Sequence, residues 1–370
     1  MSGPTYIFAG GGTGGHLYPG IAIWRELQAL QPDAAAVFVC SSKPLDAEIL
    51  AKELVEYRPI PAKPFGVRPR ALWRFLSAWG PSVRRSREIL RGGDGAVVVA
   101  MGGYAAAPVV QAARAERVPV VLVNLDAVPG KANMWISRHA AVRLTAADSG
   151  RVPESWERVS PIVRAGARGL LEAGVSRAKL GLHPDRPTLL VTGGSQGAGS
   201  LNAFVCGIVR SHPGVLRSGG WQVLHQTGPG ENALMSACYL EMGIQAVVVP
   251  FLSDMASAWA AADFAIARCG ANTVAEVWAN KTPTLFLPYP FHKDQHQRFN
   301  AEPLERAGGA VVRTDWVDMD RNVNENAPVV LDLLASFERR REMRRALEGL
   351  GAADGAMLAA RAISVLAANS

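Results

Sequence analysis

Two stretches of the chain set a cluster of glycines directly between a short apolar run and a helical pattern. Gly10-Gly11-Gly12-Thr13-Gly14-Gly15-His16 follows an apolar run at 6–9, and Gly193-Gly194-Ser195-Gln196-Gly197 follows one at 188–192. Glycine at this density costs backbone entropy that an ordinary connection does not require, so both turns read as places where the backbone approaches a ligand. A strand, a glycine turn and a helix open a parallel sheet covered by helices, and each opening here starts its own alternating series. The first continues through a helix over 21–30 and then strands at 37–40, 96–100 and 118–123. The second continues through 221–225, 246–250, 264–267 and 284–288. The fold class is therefore α/β, with two Rossmann-like domains over 1–160 and 161–345. The Arg-rich helical tail, 346–370 at its end, closes the second domain or crosses back to the first.

Composition excludes several classes. With 49% hydrophobic and 19% charged residues among 370, the chain is globular rather than disordered. Cys40, Cys206, Cys238 and Cys269 lie far apart without a C-x-x-C, so zinc-ribbon, cluster and disulfide frameworks lack their spacing, and reduced thiols in cytosol fit best. The N-terminus has no basic region before its first apolar run, unlike a signal peptide. The most apolar stretch, 96–113, is broken by Gly102, Gly103, Tyr104, Pro108 and Gln111, so membrane contact is expected to be peripheral.

The basic excess lies in the first half, where residues 1–160 hold 19 Lys/Arg against 13 Asp/Glu. Within it, Arg68, Arg70, Arg74, Arg84, Arg85, Arg87 and Arg91 meet only Glu88, interleaved with Phe65, Leu72, Trp73, Phe75, Leu76 and Trp79. Leu72, Phe75, Leu76 and Trp79 share a helix face. Periodicity does not say whether lipid or core covers that face, and both readings stand open here. No nucleic-acid-binding motif accompanies the charge.

Gly10, Gly12 and Gly15 satisfy G-x-G-x-x-G, yet an NAD site also wants an acid after the second strand, and Cys40 is followed by Ser41-Ser42-Lys43. NAD is disfavoured; an NADP 2′-phosphate on Ser41, Ser42 and Lys43 is the minor reading. His16 closes the first glycine loop at a helix start, where positive potential keeps an imidazole neutral and basic. That suits a general base. The second turn aims backbone N–H groups and the Ser195 hydroxyl at a phosphate. Glu276, in Arg268-Cys269-Gly270-Ala271-Asn272-Thr273-Val274-Ala275-Glu276, suits either a solvated surface or a nucleotide ribose. Residues 288–300 collect hydroxyl-binding side chains as a sugar pocket or as a polar loop.

Together with Met101-Gly102-Gly103-Tyr104, Pro161-Ile162-Val163-Arg164, and Asp294, Gln297, Asn300 and Ala301, these segments resemble the family of bacterial MurG. That family comprises peptidoglycan glycosyltransferases that move N-acetylglucosamine from UDP-GlcNAc to undecaprenyl-linked muramyl pentapeptide, making lipid II from lipid I. The resemblance spans essentially the whole chain. It implies a GT-B fold, two Rossmann-like domains with parallel sheets facing across a cleft, and an inverting enzyme without metal or cofactor on the cytoplasmic face of an anionic membrane. By the same resemblance His16 is the base, and Thr13, Gly14, Gly15 and Tyr104 belong to the acceptor side. Gly194 and Ser195 match diphosphate contacts, Arg164 a donor-side basic residue, Phe251 and Leu252 the uracil-binding turn, Glu276 the ribose ligand, and Gln297 and Asn300 the sugar pocket.

Where the family usually carries His-Glu-Gln-Asn, this chain reads Val123-Asn124-Leu125-Asp126, which sets a carboxylate in place of an amide facing the active cleft. Asn272 replaces an apolar residue, and His296 stands where glutamine is common. The rivals are a transferase using the same donor on another lipid, a UDP-GlcNAc epimerase-like enzyme, and a non-catalytic UDP-sugar-binding scaffold.

Overall fold

The computed structural model describes residues 3–12, 14–92, 96–194, 197–291 and 294–369. The chain divides into two compact units, 1–164 with 354–370, and 165–353. It changes unit after Arg164 and again after Ala353, a few residues beyond the expected boundaries at 160 and 345.

The first unit runs β1 (Thr5–Ala9), α1 (Gly14–Leu30), β2 (Ala35–Ser41), α2 (Pro44–Lys52), β3 (Tyr57–Ile60), α3 (Pro69–Leu90), β4 (Val97–Ala100), α4 (Ala106–Glu116), β5 (Val120–Asn124), α5 (Lys131–Ile136), β6 (Val142–Thr145) and β7 (Glu157–Arg158). Its sheet has the order β3-β2-β1-β4-β5-β6-β7, with every pair parallel. β4 and β5 are buried along their whole length, so their continuous apolar runs suit a sheet covered on both faces. Alternation along β1 divides the core. Tyr6 and Phe8 join Leu17, Ile23 and Leu27 of α1 on one face, while Ile7 and Ala9 join Val109 and Val110 of α4 on the other.

The second unit runs α6 (Ala173–Lys179), β8 (Thr188–Thr192), α7 (Gly199–Ser211), α8 (Pro213–Ser218), β9 (Gln222–Gln226), α9 (Asn232–Glu241), β10 (Ala246–Val249), α10 (Met255–Ala261), β11 (Phe264–Ala267), α11 (Ala271–Asn280), β12 (Thr284–Phe286), α12 (His296–Arg306), β13 (Ala310–Val312), α13 (Met319–Ala335) and α14 (Phe337–Glu348). Its parallel sheet has the order β10-β9-β8-β11-β12-β13. A final helix, α15 (Gly355–Ala368), belongs to the first unit, where Ala359, Ala360 and Ile363 seal the core beside α1. In each sheet the strand that enters a glycine turn, β1 or β8, lies where the strand order reverses. That is the point at which parallel sheets open a crevice for ligands.

Helix α1 starts at Gly14 rather than 21, so His16 sits inside its first turn. Helix α3 splits the face expected to act as one. Phe75 and Trp79 turn inward, in ring contact with each other at 5.4 Å, and Trp79 reaches Trp135 at 6.4 Å. Val67, Trp73 and Leu76 stand 83%, 70% and 60% exposed, with Phe65 and Leu72 beside them. The core reading therefore fits Phe75 and Trp79, whereas Trp73 and Leu76 of the same helix stand exposed. Among the described residues no helix is long and apolar enough to cross a membrane.

Candidate active site

At the carboxyl edge of the first sheet, the turn after β1 interlocks with the turn after β4. Gly12 has φ +91°, and a Cβ there would stand 2.7 Å from Tyr104 Cε1. Gly103 has φ +76°, and a Cβ there would stand 3.2 Å from His16 Cε1. Both positions need glycine, for backbone conformation and for space. The Tyr104 ring thus lies against Gly12, and the His16 ring against Gly103.

Burial pulls the His16 imidazole below its ordinary pKa; the charges of Asp126 and then Asp46 oppose this without cancelling it. The ring is therefore neutral near pH 7, with burial adding a cause beyond the helix-start potential read from sequence. His16 Nδ1 is buried with no hydrogen-bond partner among the described residues. A polar atom that the fold leaves unused in this position favours function over structure. Asp126 follows β5, and its carbonyl accepts from Asn124 Nδ2 at 2.8 Å. Asn124 also donates to Thr145 Oγ1 at 3.1 Å and accepts from Asn133 Nδ2 at 2.9 Å.

The Gly12 N–H donates to both oxygens of Asp46, at 2.8 and 3.0 Å. Ser41 donates its hydroxyl to Asp46 at 2.6 Å, Ser42 its hydroxyl to the Ile60 carbonyl at 3.0 Å, and Lys43 its Nζ to the Gly12 carbonyl at 2.8 Å. The two hydroxyls and one of the three Lys43 N–H donors are thus engaged inside the fold, which weighs against the NADP 2′-phosphate reading. Asp46, Asn124 and Asn133 escaped the sequence reading. The available signal was a polar residue closing the buried run of β5, and an acid in the first turn of α2. Gly14 and Gly15 open α1; Thr13 lies outside the described residues. Arg164, expected on the donor side, ends the first unit with its guanidinium 4.1 Å from the centroid of the Tyr18 ring of α1.

In the second unit, β8 enters Gly193 and Gly194, and α7 begins at Gly199. Ser195 and Gln196 lie outside the described residues. Gln226, buried at the end of β9, donates Nε2 to the Gly194 carbonyl at 2.8 Å and accepts from the Leu252 N–H at 3.3 Å. One amide thus ties the glycine turn to the Phe251-Leu252 turn, where Phe251 is half exposed and Leu252 buried. Glu276, half-buried on α11, accepts from Trp259 Nε1 at 2.8 Å. Gln297 accepts from the Tyr289 N–H at 3.0 Å, and Asn300 donates to the Cys269 carbonyl at 3.3 Å, so both brace the loops they were expected to line.

Arg268 is a bracket among loops. It donates to the carbonyls of Leu287 (2.8 Å) and Pro288 (3.1 Å) and to Ser200 Oγ (2.8 Å), and it pairs with Asp315 at 2.7 Å. Burial works to raise the Asp315 pKa, but donors from Ser200, Asn322 and the Val317 N–H, with Arg268, outweigh it and hold the carboxyl below its ordinary value. Among the described residues no His/Cys/Asp/Glu group is arranged to hold a metal ion.

The chain matches the glycosyltransferase family 28 N-terminal domain over residues 6–144 and the glycosyltransferase family 28 C-terminal domain over 188–356. A relative from Rhodococcus erythropolis is 35% identical, covering 99% of this chain and 95% of the relative. One from Geobacter metallireducens is 32% identical, covering 95% and 96%. Both are described as UDP-N-acetylglucosamine–N-acetylmuramyl-(pentapeptide) pyrophosphoryl-undecaprenol N-acetylglucosamine transferase. Among solved structures, Acinetobacter baumannii MurG has TM-score 0.75 at 24% identity, covering 98% of this chain and 99% of that one. A putative UDP-N-acetylglucosamine 2-epimerase from Listeria monocytogenes has TM-score 0.65 at 12% identity, covering 96% and 94%. At these identities the structures show fold alone, the two-domain α/β architecture called GT-B.

Proposed function

The chain belongs to glycosyltransferase family 28, and from that premise we propose that it moves N-acetylglucosamine from UDP-GlcNAc to the 4-hydroxyl of undecaprenyl-linked muramyl pentapeptide. Lipid I becomes lipid II, a step in peptidoglycan synthesis on which cell shape and division depend. The observation that carries this reading is the 35% identity over 99% of the chain to a transferase of that description.

His16 takes the proton of the acceptor hydroxyl, the oxygen attacks the anomeric carbon with inversion, and UDP leaves. The neutral state of the His16 ring and its unpartnered Nδ1 support this role. The imidazolium that forms is the species Asp126 and Asp46 favour, so their charge counts more in the transition state than before it. Gly14, Gly15 and Tyr104, with Thr13, form the acceptor side. Backbone N–H groups of the Gly194 turn, Ser195 and the α7 terminus meet the charge growing on the diphosphate. Glu276 takes the ribose, Phe251 and Leu252 the uracil, Gln297 and Asn300 the sugar, and Arg164 a charge of the donor.

The chain works at the cytoplasmic face of the membrane as a peripheral protein. Support comes from exposed Phe65, Val67, Leu72, Trp73 and Leu76 beside Arg68, Arg70 and Arg74, a pattern suited to an anionic interface. UDP release from UDP-GlcNAc, with and without lipid I, tests the whole reading. Release that requires lipid I is expected. Epimerisation without acceptor, or binding without turnover, would replace it with one of the rivals.

A further inference from the structure

Asp46 is fully buried in the first turn of α2, where a carboxylate persists only if donors surround it. They do. Gly12 N–H reaches both of its oxygens at 2.8 and 3.0 Å, and Ser41 reaches Oδ2 with its N–H at 3.1 Å and its hydroxyl at 2.6 Å. The same glycine is held from its other side, since its carbonyl accepts from Lys43 Nζ at 2.8 Å. Gly12 is also the residue against which Tyr104 packs, and the neighbouring Gly103 is the one against which His16 packs.

We infer that Asp46 is a positioning residue for the transfer: with Lys43 it locks the Gly12 turn against Tyr104, whose neighbour Gly103 packs against the His16 ring. The inference rests on reading His16 as the acceptor base. Asp126, from the loop after β5, and Asp46 act on the ring with the same sign. Tyr104 and Lys43 stand at Gly12, and the Arg164 guanidinium covers Tyr18 two residues along α1. Before the reaction burial keeps the ring neutral. Once the proton has moved, the two carboxylates stabilise the imidazolium without rearranging, which is the advantage of a preorganised charge.

The test uses the full chain and three readouts: the His16 NMR titration without substrate, the pH dependence of turnover, and the KM for UDP-GlcNAc. In Asp46→Asn, His16 should titrate at lower pH, the acid limb should move down with it, and transfer should fall about 10²-fold from lost alignment while donor KM holds. Transfer at the parent's rate, or a donor KM that rises in step with the loss of rate, overturns the inference. If Asp46→Asn does not fold, Lys43→Met leaves the carboxylate and frees the Gly12 carbonyl. Slower transfer at unchanged donor KM supports the clamp, and full turnover overturns it. A parent without transfer whose His16 titration still responds to Asp46→Asn would sink the transferase reading and leave the Asp46 contact standing.

Discussion

Trp259 Nε1 donates to Glu276 Oε2 at 2.8 Å, so the carboxylate proposed to bind the ribose is aimed by an indole from the preceding helix. Glu276→Ala should weaken UDP and UDP-GlcNAc alike, by about 1.5–3 kcal/mol, the range for a hydrogen bond to a charged group. Trp259→Phe keeps an aromatic side chain, smaller than indole and without the N–H, and a smaller loss is expected. Unchanged UDP affinity by calorimetry in Glu276→Ala would return the carboxylate to a structural role such as holding Trp259.

Asp126 opposes the downward shift of His16 more strongly than Asp46 does. Asp126→Asn restores the amide usual in the family. Lipid I turnover should persist, with its acid limb moved to lower pH and by more than in Asp46→Asn, because removing a nearby negative charge makes the imidazolium harder to form. A pH profile that superimposes on the parent's would contradict the pairing; a changed preference among acceptors would then assign Asp126 to substrate.

The two sides of α3 should separate in a vesicle assay. Trp73→Ser with Leu76→Ser removes exposed apolar surface, so the protein should leave anionic vesicles with its thermal transition unchanged. Phe75→Ser with Trp79→Ser strips the inward aromatic contacts and should lower the transition cooperatively. Vesicle binding unaffected by the first pair would place the lipid contact elsewhere.

His225 is buried with Nδ1 2.8 Å from Tyr239 Oη and Nε2 3.0 Å from Asn202 Oδ1, and burial pulls its pKa down to about 3. An unfolded histidine titrates near 6.5. Between these values the unfolded chain binds a proton that the folded unit refuses, so this contribution to stability falls as pH falls, by roughly 1.4 kcal/mol per pH unit. Urea unfolding between pH 5.5 and 4 should approach that slope, and His225→Gln should flatten it. An undiminished slope in the variant would locate the acid sensitivity at another group.

Much of the fold is visible in the sequence because its central strands are buried on both faces. β8 and β11 stand out as buried runs, and each glycine turn marks where a central strand passes into the helix after it. What escaped has physical causes. β3 carries Pro59 and is largely exposed, β7 is two residues long, and β13 is three, too short for a period to register. Asp46 lies 34 residues from the glycine it holds, and Gln226 32 from the carbonyl it caps; no local pattern carries such pairs. The split of α3 was hidden for another reason. Periodicity assigns residues to a face, whereas Trp135, from a different helix, decides which of them is covered.

The central claim is that His16 takes the proton of the acceptor hydroxyl. The most direct measurement compares single-turnover transfer of labelled N-acetylglucosamine to lipid I by the parent and by His16→Ala, with UDP-GlcNAc affinity measured on both. Loss of a general base predicts a rate lower by about 10²–10⁴-fold with donor affinity nearly intact. Transfer by His16→Ala at the parent's rate would contradict the account.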